Sequence, residues 1–238
     1  MSRVRLFIDH PLGAGQAVGL TADQAHYLFG VMRLGQGDRL TVFNGRDGAW
    51  SAEIAVASKR RGQVTALAQT APQQMPPDLW LMFAPIKKAR TDFIVEKATE
   101  MGAARIMPVQ TEFTNAERIR QDRLQAHAVE AAEQCGGTFV PPVEDLVPLR
   151  RVLADWPSER RILWADEARF GPADTLAGLA RGPWAVLIGP EGGFSPSERE
   201  MLGALDVVTP ISLGPRILRA DTAAVAALTL FQAHLGDW

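Results

Sequence analysis

Two strand–turn–helix units follow one another between Ala185 and Leu230, and they constrain the fold of this chain more than any other stretch. In the first, the apolar run Ala185–Ile188 leads into the turn Gly189-Pro190-Glu191-Gly192-Gly193, and a helix begins at Ser195. Ser195 and Glu198 have the spacing of a capping box, and Pro196 sits at the first helical position, where a missing N–H breaks no helical bond. In the second, an apolar strand over Val207–Leu213 runs into a Gly-Pro turn bearing Arg216 and Arg219, and a helix starts near Thr222. Such a repeat builds an open α/β sheet. It puts two glycine-bearing loops at the carboxyl ends of adjacent strands, where these sheets bind ligands.

The rest of the chain supports that class. From 79 onward, strand and helix patterns alternate, which argues a mainly parallel sheet covered by helices. Leu79–Ala84 reads as a buried strand, Arg90–Met101 as a helix with Ile94, Ala98 and Met101 inward, Ile106–Val109 as a strand, and Arg118–Gln134 as a helix packing Leu124, Ala128 and Ala131. Arg161–Ala165 is a further strand, and the final helix carries an apolar stripe of Ala224, Leu228, Phe231 and Leu235 that suits a core or a subunit interface. Residues 3–70 differ. Short apolar runs (Val4–Ile8, Leu40–Phe43), an alternating stretch (Trp50–Val56) and Gln63–Ala68 predict a small β-barrel interrupted by one helix over Ala22–Met32, with a strong turn at Asn44–Gly48. The proline-rich stretch 71–77 reads as the linker, giving domains 1–72 and 73–238.

Composition excludes more than it selects. With one cysteine, Cys135, in 238 residues there is no intramolecular disulfide and no multi-cysteine metal site. The four histidines are scattered without a metal-ligand spacing, so no metal is expected. No apolar run approaches the ~18 residues of a membrane span, and the amino terminus lacks the pattern of a secretion signal, which predicts a soluble, cytoplasmic protein. A net charge of -2 leaves no global basic footprint, so any nucleic-acid surface is local. The cations Arg3, Arg5, Arg33, Arg39, Arg46 and the run Lys59-Arg60-Arg61 concentrate in the small β-rich unit, as solvated surface or as RNA contacts.

Neither loop matches an established phosphate motif. The glycines at 189, 192 and 193 are not spaced as GxGxxG, and no Lys-Ser/Thr follows them as in a P-loop. What remains is backbone that can approach a ligand closely beside Glu191. Arg216 and Arg219 are more charge than a turn needs. They either pair with Asp221, Glu191 or Asp166 as a structural network or meet RNA phosphate or a base carbonyl. No nucleophile–base pair is visible, since Cys135 has no positioned histidine and Ser195 is a cap.

At IGPEGGFSPSERE and SLGPRILRADTA the sequence resembles the RsmE family, the 16S ribosomal RNA uridine N3-methyltransferases of the SPOUT class. HYLFGVMRLGQGD, FNGRDGAW, KKARTDFIVEKATEMGAARIMPV and AAEQCGG fall in family order, so the likeness covers nearly the whole chain. The resemblance implies a PUA-like β-barrel that binds RNA, followed by a SPOUT-type knotted (trefoil) α/β domain with a mainly parallel sheet. It implies S-adenosylmethionine in the knot, 16S RNA or the small-subunit particle as partner, and a homodimer. Position by position, it assigns cofactor contacts to Gly189, Pro190, Glu191, Gly192 and Gly193, to Leu213, Gly214, Ile217, Leu218, Thr222 and Ala223, and to the strand end Leu163, Trp164 and Ala165. Arg219 and Arg216 are the candidates for stabilising charge on the uracil, a carboxylate (Glu191 or Asp221) or a water for taking the proton, and Arg3, Arg5, Arg33, Arg46 and Lys88 for RNA. Asp221 replaces the family's usual glutamate, and Phe113 and Gly137 stand where the family commonly has arginine. Other RNA positions, tRNA, and RNA binding without catalysis stay open; nucleotide hydrolysis is disfavoured because the P-loop lysine is missing.

Overall fold

The structure is a computed structural model and describes residues 4–58, 61–116, 118–169, 176 and 178–238. The chain divides into two compact units, one of Met1–Met75 with Ala132–Val140 and the other of Pro76–Ala131 with Pro141–Trp238.

The first unit is a curled five-stranded sheet. Strands β1 (Arg5–Phe7), β2 (Ala17–Gly19), β3 (Arg39–Phe43), β4 (Ala49–Ala57) and β5 (Gly62–Ala71) run in the order β1-β3-β4-β5-β2. Only the β1–β3 pair is parallel. Alternation puts Leu40 and Val42 of β3, Ala52 and Ile54 of β4, and Val64 and Ala66 of β5 in one core. Of these strands only β2 is absent from the sequence reading, because three residues carry too little periodicity. The predicted helix over 22–32 forms, but not as one α-helix. Helix α1 (Ala22–Ala25) opens with a capping box between Thr21 and Gln24, then widens into π-helical turns over His26–Val31. The segment 132–140 belongs to this unit through hydrogen bonds: the Phe7 N–H donates to Glu133 at 2.8 Å and the Arg5 guanidinium to the Gly137 carbonyl at 2.6 Å.

The second unit holds six parallel strands in the order β11-β9-β10-β6-β7-β8: β6 (Leu79–Phe83), β7 (Arg105–Gln110), β8 (Val147–Pro148), β9 (Arg161–Ala165), β10 (Trp184–Ile188) and β11 (Val208–Ile211). All five β10 residues are buried, as a central strand of a covered sheet requires. Its helices are α2 (Lys88–Glu100), α3 (Gln121–Cys135, whose residues from Ala132 on belong to the first unit), α4 (Leu149–Ala154), α5 (Pro196–Gly203) and α6 (Ala220–Leu235). The apolar stripe of α6 is buried within this one chain, so Ala224, Leu228, Phe231 and Leu235 are core. Buried Gln232 on the same face donates to the Met101 carbonyl at the end of α2. Parallel register aligns Ile211 with Ala165, Leu187 with Trp164, and Ile188 with Phe83. The loops leaving β9, β10 and β11 therefore emerge together at one carboxyl edge.

Candidate active site

The glycine loop after β10 is shaped from both sides. At its exit Ser195 caps α5 and exchanges hydrogen bonds with Glu198, with Pro196 in the first turn, as the sequence predicts. Buried Glu198 does a second job by accepting the Glu112 N–H at 2.9 Å, which ties the segment after β7 to this loop. The Ser197 hydroxyl donates to the Glu112 carboxylate and holds it below the ordinary carboxylate range. Phe113 follows, and a Cβ at Gly192 would lie 3.3 Å from its Cβ, a tight contact. Gly193 has a left-handed backbone, φ 70°, and a Cβ there would overlap the Glu167 carboxylate. Only glycine meets both conditions.

That carboxylate is held in place. Glu167 accepts the Phe194 N–H at 3.2 Å and Arg199 at 2.7 Å, while the other arm of Arg199 reaches Asp166 at 2.6 Å. The Arg199 guanidinium lies 5.6 Å from the Trp164 ring centre, and Trp164 meets Phe194 edge to face at 5.7 Å. One arginine from the first turns of α5 thus joins the end of β9 to the glycine loop. Sequence reading did not single out Arg199 or Glu167. The signal was a cation one turn into a well-capped helix and an Asp-Glu pair at a strand end, but nothing local says they meet.

Two cavities open at this edge and share Ala165, Glu167, Ile217, Leu218 and Ala223 in their linings. The larger, about 290 Å³, adds Gly189, Pro190, Glu191, Gly193 and Arg219, and the smaller adds Leu213, Gly214 and Arg216. Its size is at the lower end of small-molecule sites, which run from about 300 to 1,000 Å³. Both loops therefore line one cleft, but the strands that carry them are not adjacent as the sequence reading expects: β9 lies between β10 and β11, and its own end joins the lining through Ala165 and Glu167. Ile217 is 75% exposed, an uncovered apolar side chain at the mouth. The backbone N–H groups of Ile217 and Leu218 take no partner among the described residues.

Not every expected residue is brought there. Leu163 and Trp164 are buried in the core behind the strand end, and Gly192 and Thr222 are exposed outside both linings. Asp221 also lies outside the linings, because it pairs with Arg90 at 3.2 Å and accepts the Thr222 N–H at 2.9 Å. Asp166 pairs with Arg199. Two of the three structural partners considered for Arg216 and Arg219 are thus occupied elsewhere, and both arginines are exposed with no ion-pair partner among the described residues. Glu191 is exposed in the cleft lining.

In the first unit, Arg33 and Arg46 are exposed, Arg46 beside Asp9 at 3.4 Å. Arg5 turns inward instead. It donates to Gly137, lies 4.9 Å from the Phe43 ring centre, and burial lowers its guanidinium from the ordinary value against the opposing pull of Cys135 and Glu133. Arg3, Lys59 and Arg60 fall outside the described residues. Lys88 is exposed at the start of α2. Among the described residues no group of His, Cys, Asp or Glu is arranged to hold a metal, and no helix is long and apolar enough to cross a membrane.

Comparison with known proteins meets this geometry. A family described as an RNA methyltransferase domain matches residues 73–232, and one described as an RNA methyltransferase PUA domain matches residues 20–67. A ribosomal RNA small subunit methyltransferase E of Rickettsia conorii is 30% identical, covering 94% of this chain and 93% of its own length. The enzyme of that name from Neisseria gonorrhoeae, solved bound to S-adenosyl methionine, superposes with a TM-score of 0.90 at 29% identity over 99% of both chains. A protein of Legionella pneumophila solved in complex with the same cofactor also gives 0.90, at 28% identity over 100% of both. The fold class expected from the sequence, a SPOUT-type α/β domain after a PUA-like barrel, is the one these structures share with it. The chain belongs to the RNA methyltransferase family, among the small-subunit ribosomal RNA methyltransferases of type E.

Proposed function

We propose that this protein uses S-adenosylmethionine to methylate N3 of a uridine in 16S ribosomal RNA of the small ribosomal subunit. The observation that carries the reading is the single cleft lined by both loops, with unpaired Arg216 and Arg219 at its mouth. The residues present suit the cofactor. Free backbone N–H groups at Ile217 and Leu218 and the carboxylate of Glu167 offer polar contacts to its amino-acid and ribose groups, and Ile217, Leu218 and Ala223 an apolar wall for its base. When bound, S-adenosylmethionine supplies a methyl group that is already electrophilic.

The chain's own task is then alignment and charge. Uracil N3 is a weak acid and becomes a nucleophile only as its proton leaves. Arg219, with Arg216 behind it, stabilises the negative charge that builds on the uracil carbonyls. Glu191 accepts the proton: of the two carboxylates considered, it is the one in the cleft lining and without an ion pair, whereas Asp221 links α6 to Arg90. In this reading residues 1–72 form the RNA-binding module, with Arg33 and Arg46 on its exposed side, and residues 73–238 the transferase. A homodimer in the cytoplasm, where small subunits assemble, belongs to the same proposal.

The test is mass spectrometry of nucleosides from 16S RNA. A deletion strain should lack one N3-methyluridine, and the wild-type gene should restore it. An unchanged nucleoside pool would overturn the substrate assignment.

A further inference from the structure

We propose that a second cavity, between the first turns of α2, the segment 111–120 and the start of α3, seats a phosphodiester of the RNA substrate together with its nucleotide. The inference rests on the RNA methyltransferase reading and assigns a site that the cofactor cleft does not include.

This cavity is larger than the cofactor cleft, about 410 Å³. Pro85, Ile86, Ile119 and Leu124 make part of its lining apolar. Among the described residues that line it, Lys88, Arg118, Arg120 and Arg123 are cations and Asp92 is the one carboxylate, so four cations less one anion leave +3 for these residues. Asp92 is joined to Arg123, and Arg120 to Asp122 at 2.7 Å. Lys88 and Arg118 are exposed and have no ion-pair partner among the described residues. Fixed arginines beside free cations, over an apolar surface, suit a nucleotide better than a bare anion. The cations take the phosphate and the apolar lining takes ribose and base.

Its position suits the substrate. The cavity lies past the carboxyl end of β6, and β6 is hydrogen-bonded to β10, whose carboxyl end carries the glycine loop. Both walls are tied to the transfer loops. Phe113 of the 111–120 segment packs on Gly192, and Arg90, two residues beyond Lys88, pairs with Asp221 of α6.

The test is the salt dependence of 16S RNA binding by the full-length K88Q/R118Q double variant. Neither side chain has an ion-pair partner to lose among the described residues, and a thermal melt checks that the fold is kept. R151Q, which removes an exposed arginine of α4, serves as the charge control. The slope of log affinity against log salt should flatten by about 0.7–0.9 for each cation removed, and affinity near 0.15 M KCl should fall about tenfold. S-adenosylmethionine affinity, read by calorimetry, should stay within twofold. A slope and affinity equal to those of R151Q would overturn the site, as would a parallel loss of cofactor affinity. Uridine monophosphate and inorganic phosphate are titrated in a further arm. Tight binding of either, lost in the double variant while RNA binding is untouched, would mark a free-nucleotide or phosphate site and overturn the RNA assignment. If the wild-type protein binds neither 16S RNA nor the small-subunit particle at any salt, the substrate assignment fails and takes this inference with it.

Discussion

The two ends of the parallel sheet treat arginine in opposite ways. At the amino end, Arg160 is 7% exposed and engaged through both terminal nitrogens: it donates to the carbonyls of Trp184 and Asp78 at 3.0 and 3.2 Å, to the Asp78 carboxylate at 2.8 Å, and lies 3.6 Å from the Trp80 ring centre, while its buried Nε has no partner among the described residues. It joins the starts of β6, β9 and β10. At the carboxyl end, Arg216 and Arg219 are exposed beside a cleft, with no ion-pair partner among the described residues, although Asp166 and Asp221 are on the same edge. Those two acids are held by Arg199 and Arg90 instead. Supplying each nearby acid with another arginine leaves two cations for a ligand. The difference teaches that the carboxyl edge divides its charge, Arg199 and Arg90 serving the fold while Arg216 and Arg219 are left out of it, whereas Arg160 at the amino edge is spent on the fold.

The sharpest way to break this contrast is R219A. Removing a donor that acts on developing charge should lower turnover by about 10²–10³-fold. An exposed side chain without partners should leave stability within ~0.5 kcal/mol. Single-turnover methylation of 16S RNA, set against cofactor affinity by calorimetry, reads the split. Equal turnover in the variant would return Arg219 to the class of solvated surface arginines.

R160M should show the reverse. It strips hydrogen bonds from two carbonyls at the start of the sheet, one of them on the fully buried residue Trp184, and should cost about 2–3 kcal/mol of unfolding free energy. The ion pair itself contributes little of this, because the Asp78 side chain is half exposed. Urea denaturation measures the loss. Below the unfolding transition the turnover of the folded fraction should be unchanged, and a selective loss of turnover would mean that the two edges are coupled.

How far these edges were readable follows from the range of the forces involved. The glycine loop, its capping box at Ser195 and the second Gly-Pro turn are set by residues within a few positions of each other, and the structure returns them where the pattern places them. The widening of the first helix into π turns over 26–31 has no such mark, since its apolar spacing reads as ordinary helix. Pairing across the fold is invisible for another reason. Arg90 and Asp221 are 131 residues apart, and which acid Arg219 can reach depends on the insertion of β10 between β9 and β6, which no local periodicity encodes. The same holds for the cationic cavity, where Lys88 and Arg118 share a wall only because α2 and the 111–120 segment leave adjacent strands.

Arg199 tests the contrast from its middle, being locked like Arg160 but placed at the edge that binds. Its two ion pairs are partly exposed, so R199M should cost only about 1 kcal/mol of stability. Its larger consequence should be in the cleft, because freeing Glu167 releases the carboxylate that abuts Gly193 and accepts the Phe194 N–H. Cofactor affinity should then drop about fivefold, roughly 1 kcal/mol, with turnover at saturating cofactor close to wild type. R199K, which keeps one charge but cannot span both carboxylates, should recover part of the stability and little of the affinity. A variant that loses stability without any change in affinity would place Arg199 with Arg160 as a fastener of the fold, and would move the division between structural and functional arginines from the edge of the sheet to the tips of its loops.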